Sequence, residues 1–256
     1  GKLDKTEVIV CTGAKQVLSN AFLATLNQGD EVIVPAPYWT SYVDIVAFCQ
    51  ANLVPVACTG ETNFKLSPAQ LSAAITSKTK WLLLNSPGNP SGALYSSQEL
   101  SALADVLRAN PHVWILADEI YQHISYDTFT SFREIAPDLL ARMLIVNGVS
   151  KAYAMTGWRL GWGIGPRELI DTMVGVQGQS TSGACSISQA AAIAALTGPQ
   201  DVLSKRLASF KERRDYVVDA LNKTRRLDCL TPGGAFYVFP SCVKTFGLKT
   251  PDGTEL

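Results

Sequence analysis

Residues 80–92 read KWLLLNSPGNPSG, an apolar run that ends in a loop rich in proline, glycine and asparagine. The same pattern returns at 113–121, VWILADEIY, and at 143–151, MLIVNGVSK. Apolar runs without polar alternation are typical of strands covered on both faces, as in a parallel sheet. Ligands of open α/β sheets bind beyond the carboxyl ends of the strands, so the residues after each run are candidate site residues.

Outward from these stretches, short apolar runs alternate with helical patterns along the whole chain. Candidate strands are residues 8–11, 31–34, 53–57, 80–85, 113–117, 143–147 and 160–164. Candidate helices are residues 14–27, 39–50, 68–76, 97–109, 166–178, 187–196 and 200–222. This alternation predicts an α/β fold with a mostly parallel sheet flanked by helices.

Two domains are predicted. Residues 1–200 form the large domain, and residues 201–256 form a connecting helix and the start of a smaller α/β domain. The first strand of that smaller domain is predicted over residues 235–240, AFYVFP, where apolar and other residues alternate after a Pro-Gly-Gly turn. Both ends of the sequence read as cut points, so we expect a fragment of a longer protein.

Composition is that of an ordinary globular protein. The chain has 22 basic and 22 acidic residues, so no net charge attracts nucleic acid or an acidic membrane. No apolar run is long enough to span a bilayer. The six cysteines form no C-x-x-C pair or zinc spacing, and the two histidines are isolated. We expect no metal site, and reduced thiols in a cytoplasmic protein.

The turn after the first candidate strand, Thr12-Gly13-Ala14-Lys15-Gln16, leads into a helix. Small residues there allow a phosphate to approach free backbone N–H groups at the helix N-terminus. A plain strand-to-helix turn is the alternative, because a lone glycine-rich turn is a weak signal. The glycines at 161, 163 and 165 lack the G-x-G-x-x-G spacing, which argues against a dinucleotide-binding protein.

Two further strand ends carry an indole and an amide. Trp39 follows the rigid segment Pro35–Tyr38, where it would stack on a planar heterocycle; a core tryptophan is the alternative. Asn89 is held in the loop after residues 80–85, where it would donate or accept hydrogen bonds, although such loops are also purely structural.

Charged residues follow the two strands predicted over 113–117 and 143–147. Asp118 needs a cationic partner if it is buried, unless it caps a helix, and Tyr121 points the same way if a helical turn starts there. Lys151 becomes a nucleophile if partial burial lowers its pKa. Arg159 offers a planar fork for phosphate. For the lysine or the arginine alone, a surface position is the usual alternative.

In combination, these residues resemble a known family. The segments TGAKQ, PAPYWTSY, NSPGNPSG, ADEIY, NGVSKAYAMTGWRLGW and PGGAFYVFP are similar in order and spacing to those of class I aminotransferases. These are enzymes of fold type I that depend on pyridoxal 5′-phosphate (PLP), and the most similar subgroup comprises bacterial aspartate and aspartate/glutamate–prephenate aminotransferases. The resemblance covers essentially the whole chain.

The resemblance implies an activity and a partner. The activity is transamination of an L-amino acid, aspartate first, with a 2-oxo acid such as 2-oxoglutarate or prephenate. The partner is a second copy in a homodimer, toward which residues 179–183 would reach.

The resemblance also implies roles around the cofactor ring. Lys151 would carry PLP as a Schiff base and then shuttle the substrate's Cα proton. Asp118 would pair with the pyridine nitrogen, Tyr121 and Asn89 would hydrogen-bond the phenolic oxygen, and Trp39 would stack on the ring.

At the other end of PLP, the backbone N–H groups of Gly13, Ala14 and Lys15 would hold the phosphate together with Arg159. The side chain of Lys15 would meet a distal substrate carboxylate, which favours dicarboxylic substrates. The residues implied to contact substrate are Lys15, Trp39 and Asn89.

Three departures from the family pattern bear on this site. Many relatives have a phosphate-binding serine where this chain has Gly148, so phosphate binding must depend more on Arg159 and the TGAKQ turn. The family's N-terminal segment is missing, and the chain stops before the arginine that binds the substrate α-carboxylate. We therefore expect a nearly complete cofactor site and an incomplete substrate site.

Other functions stay open on the sequence alone. One is a different fold type I activity, such as that of a C–S lyase or a decarboxylase. The others are a PLP-binding regulatory domain and a catalytically incompetent PLP-binding fragment.

Overall fold

The apolar runs form the strands of one sheet in a computed structural model that describes residues 3–255. The strands are β1 (Val8–Cys11), β2 (Glu31–Ala36), β3 (Asn52–Ala57), β4 (Thr79–Asn85), β5 (Trp114–Asp118), β6 (Met143–Gly148) and β7 (Gly161–Ile164). The helices are α1 (Ala14–Thr25), α2 (Ser41–Phe48), α3 (Pro68–Ala74), α4 (Ser97–Arg108), α5 (Phe132–Ile135), α6 (Arg167–Gly178), α7 (Ser186–Thr197) and α8 (Asp201–Lys223). Each predicted strand of the large domain and each predicted helix is present.

The sheet is mixed but mostly parallel. Its order is β1-β7-β6-β5-β4-β2-β3, and only β7 runs antiparallel to its neighbours, β1 and β6. The other pairings are parallel. The predicted α/β fold is confirmed, and the carboxyl ends of β1, β2, β4, β5 and β6 meet at the same edge.

Two apolar cores cover the two faces of the sheet. Neighbouring residues within one strand, such as Leu82 and Leu83 of β4, face opposite cores. Helices α1 and α6 pack on one face, and α3 and α4 pack on the other. This two-sided burial explains why the central strands are continuous apolar runs.

Helix starts are built in two ways. α3 and α4 begin with capping boxes, in which Ser67 pairs with Gln70 and Ser96 pairs with Glu99. The capping position before α1 is Gly13, which has φ of 84° and no side chain to cap the helix. The first N–H groups of α1 are therefore left for other partners.

The strand predicted over residues 235–240 is wrong. The backbone at the start of this segment and just before it bonds to separate loops instead: Gly234 N donates to Gly92 O over 3.0 Å, and Ala235 N donates to Ile124 O over 2.7 Å. A strand needs one continuous neighbour, and no strand pairs with it within residues 3–255. The short helix α5 was not predicted, and the domain division at residue 200 stays a prediction.

None of the helices within residues 3–255 is both long and apolar enough to cross a membrane. All six cysteines are free thiols. The stretch 172–200 carries no charged residue, and it leaves large apolar side chains of α7 exposed, with Ile187 at 70% and Ile193 at 62%.

Candidate active site

A cavity of about 370 Å³ lies at the carboxyl edge of the sheet. This volume suits a small organic molecule. Its lining consists of Ala14, Lys15, Leu18, Trp39, Tyr42, Asn85, Asn89, Asp118, Ile120, Tyr121, Ser150, Lys151, Thr156, Arg159 and Tyr237. Every residue proposed for the site from the sequence belongs to this lining except Gly13, which packs against Arg159.

Asp118 ends β5 and is only 4% exposed. Its Oδ2 accepts a hydrogen bond from Tyr42 Oη over 2.7 Å, and its Oδ1 accepts one from Ile120 N over 3.3 Å. Burial raises the pKa of Asp118, while these two bonds and the charge of Lys151 oppose that shift. No helix starts at Asp118, so the alternative that it caps a helix is wrong.

Tyr121 lies in the turn after β5, and its hydroxyl is 2.6 Å from that of Tyr237. Burial is the main cause that raises the pKa of Tyr121, followed by the bond to Tyr237, and Asn89 opposes the shift. The phenol is thus held in its neutral form, able to donate or accept a hydrogen bond inside the cavity.

Asn89 is fixed by the end of β4. Its backbone N–H donates to Asn85 Oδ1 over 2.7 Å, and Asn85 Nδ2 donates to Asp118 O over 2.9 Å. The Asn85 side chain therefore ties the loop that carries Asn89 to the strand end that carries Asp118.

Lys151 is half-buried after β6, with Nζ 5.8 Å from the centre of the Tyr121 ring and 5.9 Å from that of Phe236. Burial lowers its pKa, as does Arg159, while the charge of Asp118 opposes the shift. A larger fraction of this amine is unprotonated at neutral pH than for an exposed lysine, which makes it a better nucleophile.

At the opposite end of the cavity, the start of α1 meets Arg159. A Cβ at Gly13 would lie 2.4 Å from Arg159 Nη2, so only glycine leaves room for this guanidinium. Arg159 Nη1 also donates to Thr156 O over 2.9 Å. A planar cation and the free N–H groups of Ala14 and Lys15 together form a site suited to a phosphate.

Trp39 and Lys15 form the mouth of the cavity. The Trp39 ring meets Tyr42 edge to face, with centroids 5.5 Å apart. Lys15 Nζ lies 4.7 Å from the centre of the Trp39 ring and donates to Ser41 Oγ over 3.2 Å. The lysine thus places a positive charge beside the exposed edge of the site.

The close packing of two strands explains why residue 148 is a glycine. It faces Gly161 across the β6–β7 ladder, and a Cβ at residue 148 would lie 2.9 Å from Leu160 O and 3.0 Å from Gly161 Cα. A serine would have to push these strands apart, so the close approach of β6 and β7 accounts for the glycine.

Sequence reasoning missed Tyr42, Asn85 and Tyr237. Tyr42 lies three residues after Trp39, and helical spacing alone would have placed both on one face. Asn85 is the last residue of β4, a position that the strand-end argument already singled out. Tyr237 is 116 positions from Tyr121, and no local pattern joins them.

The sequence matches the aminotransferase class I and II family over residues 2–249. The chain belongs to the class I and II aminotransferases. It is 54% identical to the aspartate aminotransferase of Rhizobium meliloti strain 1021, over 98% of this chain and 62% of that protein. It is 50% identical to the aspartate/prephenate aminotransferase of Cereibacter sphaeroides, over 100% of this chain and 64% of that protein. The chain thus spans less than two thirds of the length of these relatives.

Solved structures of this aminotransferase fold agree with the architecture. The crystal structure of the Rhizobium meliloti aspartate aminotransferase matches 98% of this chain and 64% of its own, with a TM-score of 0.97 and 53% identity. The Thermus thermophilus aspartate aminotransferase with maleate matches 93% of this chain and 62% of its own, with a TM-score of 0.86 and 40% identity.

Aminotransferases of this family depend on PLP, and the cavity's chemistry fits that group. Asp118 is a buried carboxylate suited to a protonated ring nitrogen, and Lys151 supplies an amine for the aldehyde. Arg159 and the start of α1, where a Cβ at Gly13 would fill the space, suit the phosphate.

Proposed function

We propose that the protein is a PLP-dependent aminotransferase that transfers the amino group of an L-amino acid, aspartate first, to 2-oxoglutarate or prephenate. The observation that carries the proposal is one cavity with the Lys151 amine and the buried Asp118 carboxylate, and with Arg159 at the far end. The relatives named aspartate and aspartate/prephenate aminotransferase support the same reaction.

Bound PLP supplies an electron sink for the electrons released at the substrate Cα. Asp118 holds a proton on the ring nitrogen, since a carboxylate in a buried site favours a cationic partner. Tyr121 and Asn89 bind the phenolic oxygen, and Trp39 covers one face of the ring. Tyr42 keeps Asp118 oriented, because its phenol O–H donates a hydrogen bond to one carboxylate oxygen.

At the phosphate end, Arg159 and the N–H groups of Ala14 and Lys15 hold the anion. The N–H group of Gly13, which the sequence also proposed for this role, donates to Cys11 O over 2.8 Å instead. The partial positive charge at the N-terminus of α1 adds to the charge of the guanidinium. No residue here needs to change protonation, so this end anchors the cofactor throughout the reaction.

Lys151 acts twice in this proposal. Its Nζ would hold the cofactor through the aldehyde carbon, and burial favours this because it lowers the pKa of the amine. When it is not bound to the cofactor, the Lys151 Nζ would lie in the same cavity and would take the proton from the substrate Cα.

A dicarboxylic substrate fits the mouth of the cavity. Lys15 places its ammonium group beside Trp39, where a distal carboxylate would meet it. The Thermus relative was solved with maleate, which is a dicarboxylate. Product analysis with aspartate separates transamination from the rival chemistries, because oxaloacetate marks transamination while alanine or pyruvate would contradict it.

A homodimer in the cytoplasm is the assembly and location that we propose. Exposed Ile187 and Ile193 on the uncharged helix α7 support burial against a second copy, and free cysteines suit a reducing compartment. Light scattering tests the dimer: Ile193→Glu should shift the mass toward the monomer, while Val243→Glu, at another exposed apolar residue, should not.

Borohydride reduction tests the cofactor site. The chain is incubated with PLP, reduced and digested, and mass spectrometry locates the pyridoxyl group. We expect the label on Lys151, loss of that label in Lys151→Ala, and its retention in Lys15→Ala, a matched control because Lys15 lines the same cavity. An unlabelled Lys151 in the wild-type chain would overturn the proposal.

A further inference from the structure

We infer that Gln16 is a positioning residue for phosphate binding: its side-chain amide fixes the turn that presents the N–H groups of Ala14 and Lys15. The inference rests on the proposed function, since it concerns the phosphate end of the PLP site. Gln16 lies outside the cavity lining, so its side chain is argued to act through the turn.

The Gln16 side chain bonds at both ends. Its Oε1 accepts a hydrogen bond from Thr12 N over 2.7 Å, and its Nε2 donates one to Thr181 Oγ1 over 2.7 Å. Thr12 is the residue between β1 and Gly13, so the first bond closes the turn from outside. The two bonds together fix the turn against the segment after α6.

A comparison with α3 shows why α1 needs this contact. At the start of α3, Ser67 Oγ accepts from Gln70 N, and Gln70 Oε1 accepts from Ser67 N over 3.0 Å. In α1 the capping position is Gly13, which has no oxygen to offer. The glutamine at the same helical position, Gln16, therefore reaches one residue further back, to Thr12, and leaves the N–H groups of Ala14 and Lys15 free for an anion.

The other anchor of Gln16 is itself well fixed. Gln177 O accepts hydrogen bonds from the backbone N–H groups of Ser180, Thr181 and Ser182 over 3.0–3.1 Å. The buried Gln177 side chain donates from Nε2 to Val10 O over 2.9 Å and accepts from Asn20 over 3.0 Å. Thr181 is thus held by a network that also reaches β1 and α1, and Gln16 links that network to the phosphate turn.

Comparing the binding of PLP with that of pyridoxal separates a positioning role of Gln16 at the phosphate end from a general structural role. Gln16→Met keeps the length of the side chain and removes both hydrogen bonds. We expect it to weaken PLP binding about tenfold in a fluorescence titration while pyridoxal, which lacks the phosphate, binds within about twofold of wild type. Inhibition of PLP binding by inorganic phosphate should weaken by the same factor as PLP binding.

Two further variants sharpen the test. Thr181→Val removes only the exposed anchor and should weaken PLP binding about two- to threefold, with no added effect in the double variant with Gln16→Met. Gln70→Met breaks the corresponding backbone bond at α3 and should leave both ligands unaffected. Melting temperatures of all variants control for loss of fold.

The outcomes distinguish the two proposals. A wild-type chain labelled on Lys151, with Gln16→Met selectively impaired for PLP and phosphate, supports the inference. If PLP and pyridoxal weaken together, or neither weakens, the inference is wrong while the cofactor site stands. An unlabelled wild-type chain overturns the proposed function, and the inference with it.

Discussion

The two ends of the cavity are built from different chemistry. At the ring end, Asp118, Tyr42 and Tyr121 are buried, and burial raises the pKa of all three. Tyr42 is hydrogen-bonded to Asp118, and Tyr121 is hydrogen-bonded to Tyr237. At the phosphate end, Arg159 and Lys15 are exposed, and glycine backbone lies where a Cβ would collide. The ring end therefore binds its ligand through groups whose protonation state matters, and the phosphate end binds its ligand through the close fit of the backbone.

This difference gives each end its own probe. Pyridoxal binding reports the ring end, inorganic phosphate binding reports the phosphate end, and PLP binding reports both. A pH series adds a further separation, because only the ring end contains buried groups that change charge.

The largest effect is expected at Asp118. Asp118→Asn keeps the shape and removes the charge that faces the ring nitrogen, so PLP and pyridoxal should both bind roughly 10- to 100-fold more weakly. Phosphate inhibition should stay within about twofold of wild type. Titrations with the three ligands check this, and an equal loss for phosphate would remove the distinction between the ends.

Gly161→Ala is the matching change at the phosphate end. The new Cβ would lie 2.3 Å from Ala14 N, which forces β7 away from the start of α1. We expect PLP and phosphate to bind about tenfold more weakly and pyridoxal to change little.

Gly175→Ala is the control for that change, since no atom beyond its chain neighbours and the backbone of its own helix lies within 4 Å of the added group. It should leave all three affinities unchanged and stabilise α6 slightly. Calorimetry on both variants shows whether Gly161→Ala still folds; a folded variant with unaltered phosphate affinity would contradict the shape argument.

Tyr42→Phe should have a smaller effect that depends on pH. The Tyr42 hydrogen bond lowers the pKa of Asp118 against the effect of burial, so its loss raises that pKa further. The ionised fraction of Asp118 then falls first at acidic pH, and pyridoxal binding should weaken about fivefold there and less at alkaline pH.

Lys151, Tyr121 and Glu119 also interact electrostatically with Asp118 and are unchanged in this variant. The difference between wild-type and variant pH profiles therefore isolates the phenol. Superimposable profiles would show that Tyr42 does not tune the carboxylate.

Glu119→Gln should have the smallest effect on binding, because Glu119 faces away from the cavity and accepts bonds from Ser131 and Phe132. Burial raises its pKa to about 7 from 4.5, so the folded state keeps a proton that the unfolded state releases. Wild-type stability should fall as pH rises from about 4.5 through 7, by at most about 3 kcal/mol.

The variant should lack that part of the pH dependence and bind PLP normally. Denaturant titrations from pH 5 to pH 9 measure it. Parallel stability curves for the two proteins would show that Glu119 keeps no extra proton in the folded state.

Much of this site was predictable from strand ends. Asp118, Asn89 and Lys151 follow apolar strands, and parallel strands bring their carboxyl ends to one edge, so local pattern and topology together place these residues in one cavity. The roles implied by the family resemblance stay predictions until the binding experiments are done.

The strand predicted over residues 235–240 shows where pattern fails. Alternation there is genuine, but a strand exists only when a neighbour supplies a ladder of hydrogen bonds. Instead, Gly234 just before the segment bonds to Gly92, Ala235 bonds to Ile124, and Tyr237 lies against Tyr121. A local pattern carries no information about which distant backbone will be the partner.

The sequence by itself determined the helices other than α5, the seven strands of the sheet and the residues at the strand ends, because periodicity and burial act over a few neighbouring residues. Only the tertiary structure decided which groups hydrogen-bond to the site residues and to the phosphate turn. Tyr42 bonds to Asp118, Tyr237 bonds to Tyr121, and Gln16 bonds to Thr12 and Thr181. The physical reason is that burial and hydrogen bonds set protonation and shape, and most of these partners are far apart in the chain.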